Sequence, residues 1–157
     1  MIRTLGALVG ASEKAEVLAR GYEERIESFR HSAGASRPRV YFEEWDDPII
    51  TGIGWVSELI EIAGGEDVFG HLRGKGAARD RIIHPDEVVA AAPDVILASW
   101  CGKKVVPERM GARPGWDRIP AVRAGRIVEI KSPLILQPGP AALTDGLDAI
   151  RTAIAPV

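Results

Sequence analysis

The stretch that decides the fold is residues 82–99, IIHPDEVVAAAPDVILAS. His84 stands where a helix N-cap belongs and Pro85 at the first helical position. Asp86 and Glu87 follow in the first turn, where negative charge complements the helix dipole. Residues 88–92 continue the helix until Pro93. Val95, Ile96, Leu97 and Ala98 then form an unbroken apolar run, the mark of a strand buried on both faces of a parallel sheet.

Working outward, the same alternation continues. Upstream, Val40, Tyr41 and Phe42 read as a short strand, followed by a turn at residues 46–48. A helix from about Gly54 carries Trp55, Val56, Leu59, Ile60 and Ala63 inward and stops at Gly64-Gly65. A Gly-rich loop covers residues 70–78. Downstream come a weaker helix near residues 105–110, a Gly/Pro loop holding Trp116, and a strand over residues 126–130. A last helix starts at Pro140, with Leu143, Leu147, Ile150 and Ile154 on one face. Ahead of all this, Ser12 caps a helix whose apolar positions Ala15, Leu18, Tyr22, Ile26 and Phe29 recur at helical spacing. Residues 31–38, rich in Ser, Gly and Pro, end that helix and serve as a linker. The pattern predicts the α/β class, a parallel sheet flanked by helices and preceded by a long helix.

At 157 residues the chain has room for one core, and its 46% hydrophobic and 27% charged content is that of a globular protein. A net charge of −2, with scattered basic residues, gives no pull toward nucleic acid or anionic lipid. The single cysteine, Cys101, excludes an internal disulfide. No apolar stretch approaches the length that spans a bilayer. Residues 1–10 lack the charged leader, apolar run and cleavage site of a signal peptide, so the sequence alone predicts an unexported chain.

In open α/β sheets, ligands bind outside the carboxyl ends of the strands. Three loops meet that description: residues 43–47, 99–103 and 131–137. They hold Trp45, Trp100 and the carboxylates Glu43, Glu44, Asp46 and Asp47. A loop tryptophan offers a flat, rigid contact at low entropic cost, suited to a large planar ligand. Either indole alone reads equally as a cap on the sheet edge; both at the expected end favour a site. The carboxylates could hold a hard metal or act as a pair, but neighbours in a strand point to opposite faces, and such runs are usually solvated. His31, His71 and His84 show no metal-binding spacing. Gly52-x-Gly54-x-x-Ser57 partly matches a dinucleotide fingerprint, but the third glycine is missing and Trp55 crowds the place. Cys101 has Lys103 and Lys104 close by, which favours a thiolate, yet no histidine adjoins it, and catalysis is not indicated.

Five segments, in order, resemble one family: IRTLGALVGASEKAEVLARGYEERI (residues 2–26), RVYFEEWDDPIITGIGWVSELIEIAGGEDVF (39–69), the opening block 82–99, RIPAVRAGRIVEI (118–130) and LQPGPAALTDGLDAI (136–150). The family is the substrate-binding proteins of ABC importers for cobalamin, ferric siderophores and haem. The resemblance is to the C-terminal lobe of their class III periplasmic-binding-protein fold, with the helix that joins the two lobes. It implies that residues 1–36 end a first lobe and form the interlobe helix, and that 37–157 form the second lobe. It further implies ligand contacts from Trp45, Asp47, the loop around Arg81, Trp100 and the 134–137 loop with Leu134 and Gln137; Cys101 adjoins them. The ligand would be a corrinoid, ferric siderophore or haem, with no cofactor, no resident metal and no enzymatic activity. Glu87 matches the acidic position that docks on the transporter permease. Family members are extracytoplasmic, whereas the chain as it stands shows no export signal. A complete member has two lobes and this sequence matches one, so half the desolvating contacts are missing and affinity is expected to fall. The bare cleft wall and linking helix favour a homodimer. The alternative is a stand-alone cytoplasmic α/β interaction domain, dimeric, that has lost transport.

Overall fold

Why one strand organises the molecule follows from its side chains. In the computed structural model, which describes residues 1–31 and 37–156, β1 (Arg39–Asp46) runs through the middle of a five-stranded sheet. Val40, Tyr41, Phe42 and Glu43 are all fully buried, so both faces of the strand are covered. β1 pairs in parallel with β4 (Val95–Ala98), which pairs in parallel with β5 (Ile127–Glu129). On its other side it takes β2 (Ile49–Thr51) antiparallel and the two-residue β3 (Glu66–Asp67) parallel. The sheet is therefore mixed. The turn expected at residues 46–48 is the tip of a β1–β2 hairpin, whose close pairing makes β1 far longer than the three residues read from the sequence.

The described residues form eight α-helices, and the sheet is covered on both faces. Val40, Phe42, Val95 and Leu97 face α3 (Gly54–Ile62), α8 (Leu147–Ile154) and Phe29 of α2 (Ser12–His31). A π-helical turn, Ala142–Gly146, leads into α8. Tyr41, Ile96 and Ala98 face the other way, onto Val88 of α4 (Pro85–Ala91), Met110 of α5 (Pro107–Gly111), Trp116, and Ala121 of α6 (Pro120–Arg123). α7 (Ser132–Ile135) follows β5.

The opening helix differs in two ways from expectation. A short α1 (Ile2–Leu8) precedes α2 and packs on it, with Arg3 bonded to Glu16 and Glu23. A Cβ on Gly6 would meet the Cβ of Ala15 at 2.2 Å, so the two helices approach as closely as they do only through that glycine. On α2, Ala15, Ala19 and Phe29 are the buried residues, while Leu18 is largely exposed. Most of the linker expected at residues 31–38 lies outside the described residues.

Candidate functional site

The carboxyl ends of β1 and β4 carry a polar cluster built around Glu43. Two residues beyond Tyr41 on the same strand, Glu43 shares its inward side and is 0% exposed. Arg113 grips it with both guanidinium nitrogens (Nη1 to Oε2, 2.6 Å; Nη2 to Oε1, 2.9 Å). The Tyr41 hydroxyl donates to Oε2 at 3.0 Å and the Trp100 indole to Oε1 at 3.2 Å. Burial, and then the charge of Glu43, hold the Tyr41 phenol well above its ordinary pKa, so it remains a donor. Burial works against the Arg113 charge, but the bonds and charge of Glu43 outweigh it and raise the guanidinium pKa. Arg113 also lies over the Trp116 ring, 4.5 Å from its centroid.

The acidic run is thus not a solvated face. Glu43 pairs with Arg113, Glu44 with Arg81 (Nη1 to Oε2, 2.7 Å), and Asp46 with Lys103 (Nζ to Oδ2, 2.6 Å). A bulge in β1 between Glu43 and Trp45 shifts the register there, so the simple alternation of the sequence reading does not carry past Glu43.

Lys103 brings the two tryptophans together. Its ammonium lies 5.5 Å from the Trp45 ring centroid and 5.1 Å from that of Trp100. A tight turn achieves this: Trp100 bridges to Lys103, whose N–H donates to the Trp100 carbonyl at 3.3 Å, across Gly102 with φ of +69°. Trp100 is itself only 5% exposed, held from behind by Glu43 and covered in front by Lys103. Trp45 is half-buried and donates its indole N–H to the carbonyl of Asp47 at 2.9 Å; the Asp47 side chain is exposed.

The remaining expected residues are spread out. Arg81 is 1% exposed, tied to Glu44 and donating to the carbonyl of Thr51 in β2, so it braces the hairpin from behind. Cys101 is exposed on the Trp100–Lys103 turn. Leu134 packs against the α3 and α8 core and Gln137 is exposed beyond α7. Glu87 is exposed and accepts from the His84 N–H at 2.7 Å, while His84 Nδ1 accepts from the Asp86 N–H: the cap expected of His84. Gly54 has a packing reason, since a Cβ there would sit 2.6 Å from the Arg73 carbonyl oxygen. Among the described residues no group of three or more His, Cys, Asp or Glu is placed to hold a metal, and no helix is long and apolar enough to cross a membrane. A cleft of about 610 Å³ opens away from the tryptophan pair, between α2, α3 and the Pro138 to Leu143 segment, beside Tyr22, Ile26 and Trp55. It shares no lining residue with the indole pair or with the cluster around Glu43.

Sequence reasoning missed Lys103 as the link between the indoles and Arg113 as the partner of Glu43. The Tyr41-x-Glu43 spacing in a buried strand was the available signal for an inward carboxylate that needs a cation. Nothing local points to Arg113, which arrives from a loop 70 residues away.

A model of the periplasmic binding protein family matches residues 1–134. Solved structures similar to the chain include a possible iron-binding periplasmic solute-binding protein of Staphylococcus epidermidis, at 20% identity and a TM-score of 0.80. The periplasmic haem-binding protein RhuT of Roseiflexus sp. RS-1 is 27% identical with a TM-score of 0.76, and the periplasmic vitamin B12-binding protein BtuF of Vibrio cholerae 20% with 0.72. Each match covers 98% of this chain but 59%, 62% and 59% of the other, so the chain spans about three fifths of their length. No curated protein sequence matches.

Proposed function

Because the chain belongs to the periplasmic binding protein family, we propose that it is a substrate-binding component of an ABC importer, or one lobe of such a component. Its mixed sheet flanked by helices has the class III fold of that family. The ligand in this reading is cobalamin or an iron complex, a ferric siderophore or haem, as in the haem-, iron- and B12-binding proteins it resembles. The observation that carries it is the convergence of Trp45 and Trp100 on Lys103 at the carboxyl edge of the sheet.

In this reading Trp45, Asp47, Trp100, Cys101, Leu134 and Gln137 supply this chain's ligand contacts, and Arg81 acts through Glu44 by holding the hairpin that bears Trp45. Residues 1–36 are the end of a first lobe and the interlobe helix, and 37–157 the second lobe. Glu87, exposed at the start of α4, docks on the permease, and the protein works outside the cytoplasm. Leu5, Leu8, Val9 and Val17, at 54%, 77%, 76% and 74% exposure, support a homodimer through the α1–α2 hairpin. Light scattering at high concentration tests that; a monomer throughout ends it.

The test of the ligand is a tryptophan-fluorescence titration with cobalamin, haem and ferric siderophores, corrected for their absorption. Saturable quenching by one of them, lost in Trp45→Ala, is the expected result. No saturable response to any of them would mean this chain alone is not a receptor.

A further inference from the structure

The two indoles do not stand open; a lysine fills the slot between them. We propose that Trp45, Trp100 and Asp46 form a recognition pocket for an organic ammonium group, which the chain's own Lys103 occupies as an internal stand-in. The inference takes from the proposed function only that this edge of the sheet faces a ligand.

Three walls define what the pocket accepts. Two are indole faces, whose negative quadrupole attracts a cation lying within about 6 Å of the ring centroid, and Lys103 Nζ meets that distance at both. The third is the Asp46 carboxylate, with Oδ2 at 2.6 Å from Nζ. Its other oxygen, Oδ1, is buried with no hydrogen-bond partner among the described residues. The carboxylate therefore depends on the ammonium at Oδ2 for its counter-charge, and whatever replaces Lys103 there must be a cation with an N–H to donate.

An anion is the competing occupant, since Lys103 itself is positive. The surroundings decide against it. Lys103 already has its counter-charge in Asp46, and the two guanidiniums of this cluster are committed, Arg113 to Glu43 and Arg81 to Glu44. Drawing Lys103 toward an anion would strip Asp46 of its partner while leaving two electron-rich ring faces beside the incoming charge. Replacing Lys103 by another ammonium preserves every one of those contacts. Lys103 is the part able to leave: its side chain is 43% exposed and it sits on a turn, whereas Trp100 is anchored by Glu43. The selected ligand is thus one with a pendant ammonium, and Lys103 sets a threshold that such a group must exceed.

The experiment titrates n-butylammonium, at constant ionic strength, into the wild-type chain and into Lys103→Ala, following tryptophan emission. Butan-1-ol, of the same size and without charge, is the control. The expected result is a saturable response in Lys103→Ala with affinity about tenfold above wild type, no response to butan-1-ol, and loss of the response when Asp46→Asn is added. An equal response to the alcohol, or no saturable response in a variant that melts like the wild type, overturns the proposal. If Lys103→Ala does not fold, Lys103→Ser on the same turn carries the same expectation. The two readings fail separately. Binding of a metal complex without any ammonium response sinks the cation pocket and leaves the receptor; an ammonium response with no binding of any metal complex does the reverse.

Discussion

The two faces of the sheet are built from the same strands and solve burial differently. Toward α3 and α8, Val40, Phe42, Val95 and Leu97 join a cluster of buried apolar side chains, and stability there is a matter of area and fit. Toward α4 and α5, the row that begins with Tyr41 ends in Glu43, a buried carboxylate with four hydrogen bonds from three residues. A buried ion pair is a weak source of stability, because desolvation offsets most of the attraction. What it supplies here is position: it pins the Trp100 indole and the Arg113 loop to β1. One face holds the fold together, and the other holds a tryptophan in place.

The sharpest way to break that distinction is Glu43→Ala. It leaves the Arg113 guanidinium, the Tyr41 hydroxyl and the Trp100 N–H without their acceptor, and should cost about 4 kcal/mol in urea denaturation. The double variant Glu43→Leu/Arg113→Leu should recover at least about 1 kcal/mol relative to the sum of its single variants. Strict additivity would show that the cluster is not coupled. Next in size is Leu97→Ala on the apolar face, with an expected loss of about 3 kcal/mol through the cavity it leaves. The two differ in a second readout. Glu43→Ala should shift the near-ultraviolet circular dichroism of the tryptophans and Leu97→Ala should not; the same shift in both would erase the contrast between the faces. A smaller loss, about 1 kcal/mol by thermal melting, is expected for His84→Ala, which removes the acceptor for the Asp86 N–H at the start of α4. No change in melting would make the cap ornamental.

How much of this was legible follows the same division. Apolar periodicity carried α3 and α8, an unbroken apolar run carried β4, and cap and first-turn chemistry carried α4, because each signal is complete within a few residues of chain. The hairpin was not visible, since β2 is three residues long and its pairing with β1 is a tertiary fact. The candidate site was half legible. Trp45 and Trp100 could be placed at the carboxyl edge of the sheet by the strand-end rule, but Lys103 reads as an ordinary solvated lysine until the turn folds it back over both rings. Glu43 and its neighbours read as a solvated acidic run because each partner comes from a distant segment: Arg81, Lys103 and Arg113. Local patterns report burial well and long-range charge pairing poorly.

A last prediction extends the comparison to pH. Asp67 lies in β3 with Oδ1 accepting from the Phe69 N–H at 3.0 Å, and Phe69 packs edge-on against Tyr41 in the polar-face core. Burial raises its pKa above the ordinary 3.8 and the nearby Glu61 adds to this, while the bond from Phe69 and the proximity of His71 only partly offset it. A carboxyl whose pKa is raised on folding binds its proton more tightly in the folded state. Its contribution is therefore fully present below 3.8 and is lost as pH rises through the raised folded value. Asp67→Asn keeps the carbonyl acceptor for Phe69 and removes the charge. The difference between wild type and variant, from urea unfolding at a series of pH values, should therefore move in the variant's favour as pH rises through that window and stay level above it. This is expected to be the smallest of the changes, and one that no position among Val40, Phe42, Val95 and Leu97 can imitate, having nothing to ionise. A difference independent of pH, or one favouring the wild type as pH rises, would mean that the hydrogen bond to Phe69 rather than burial governs this carboxyl.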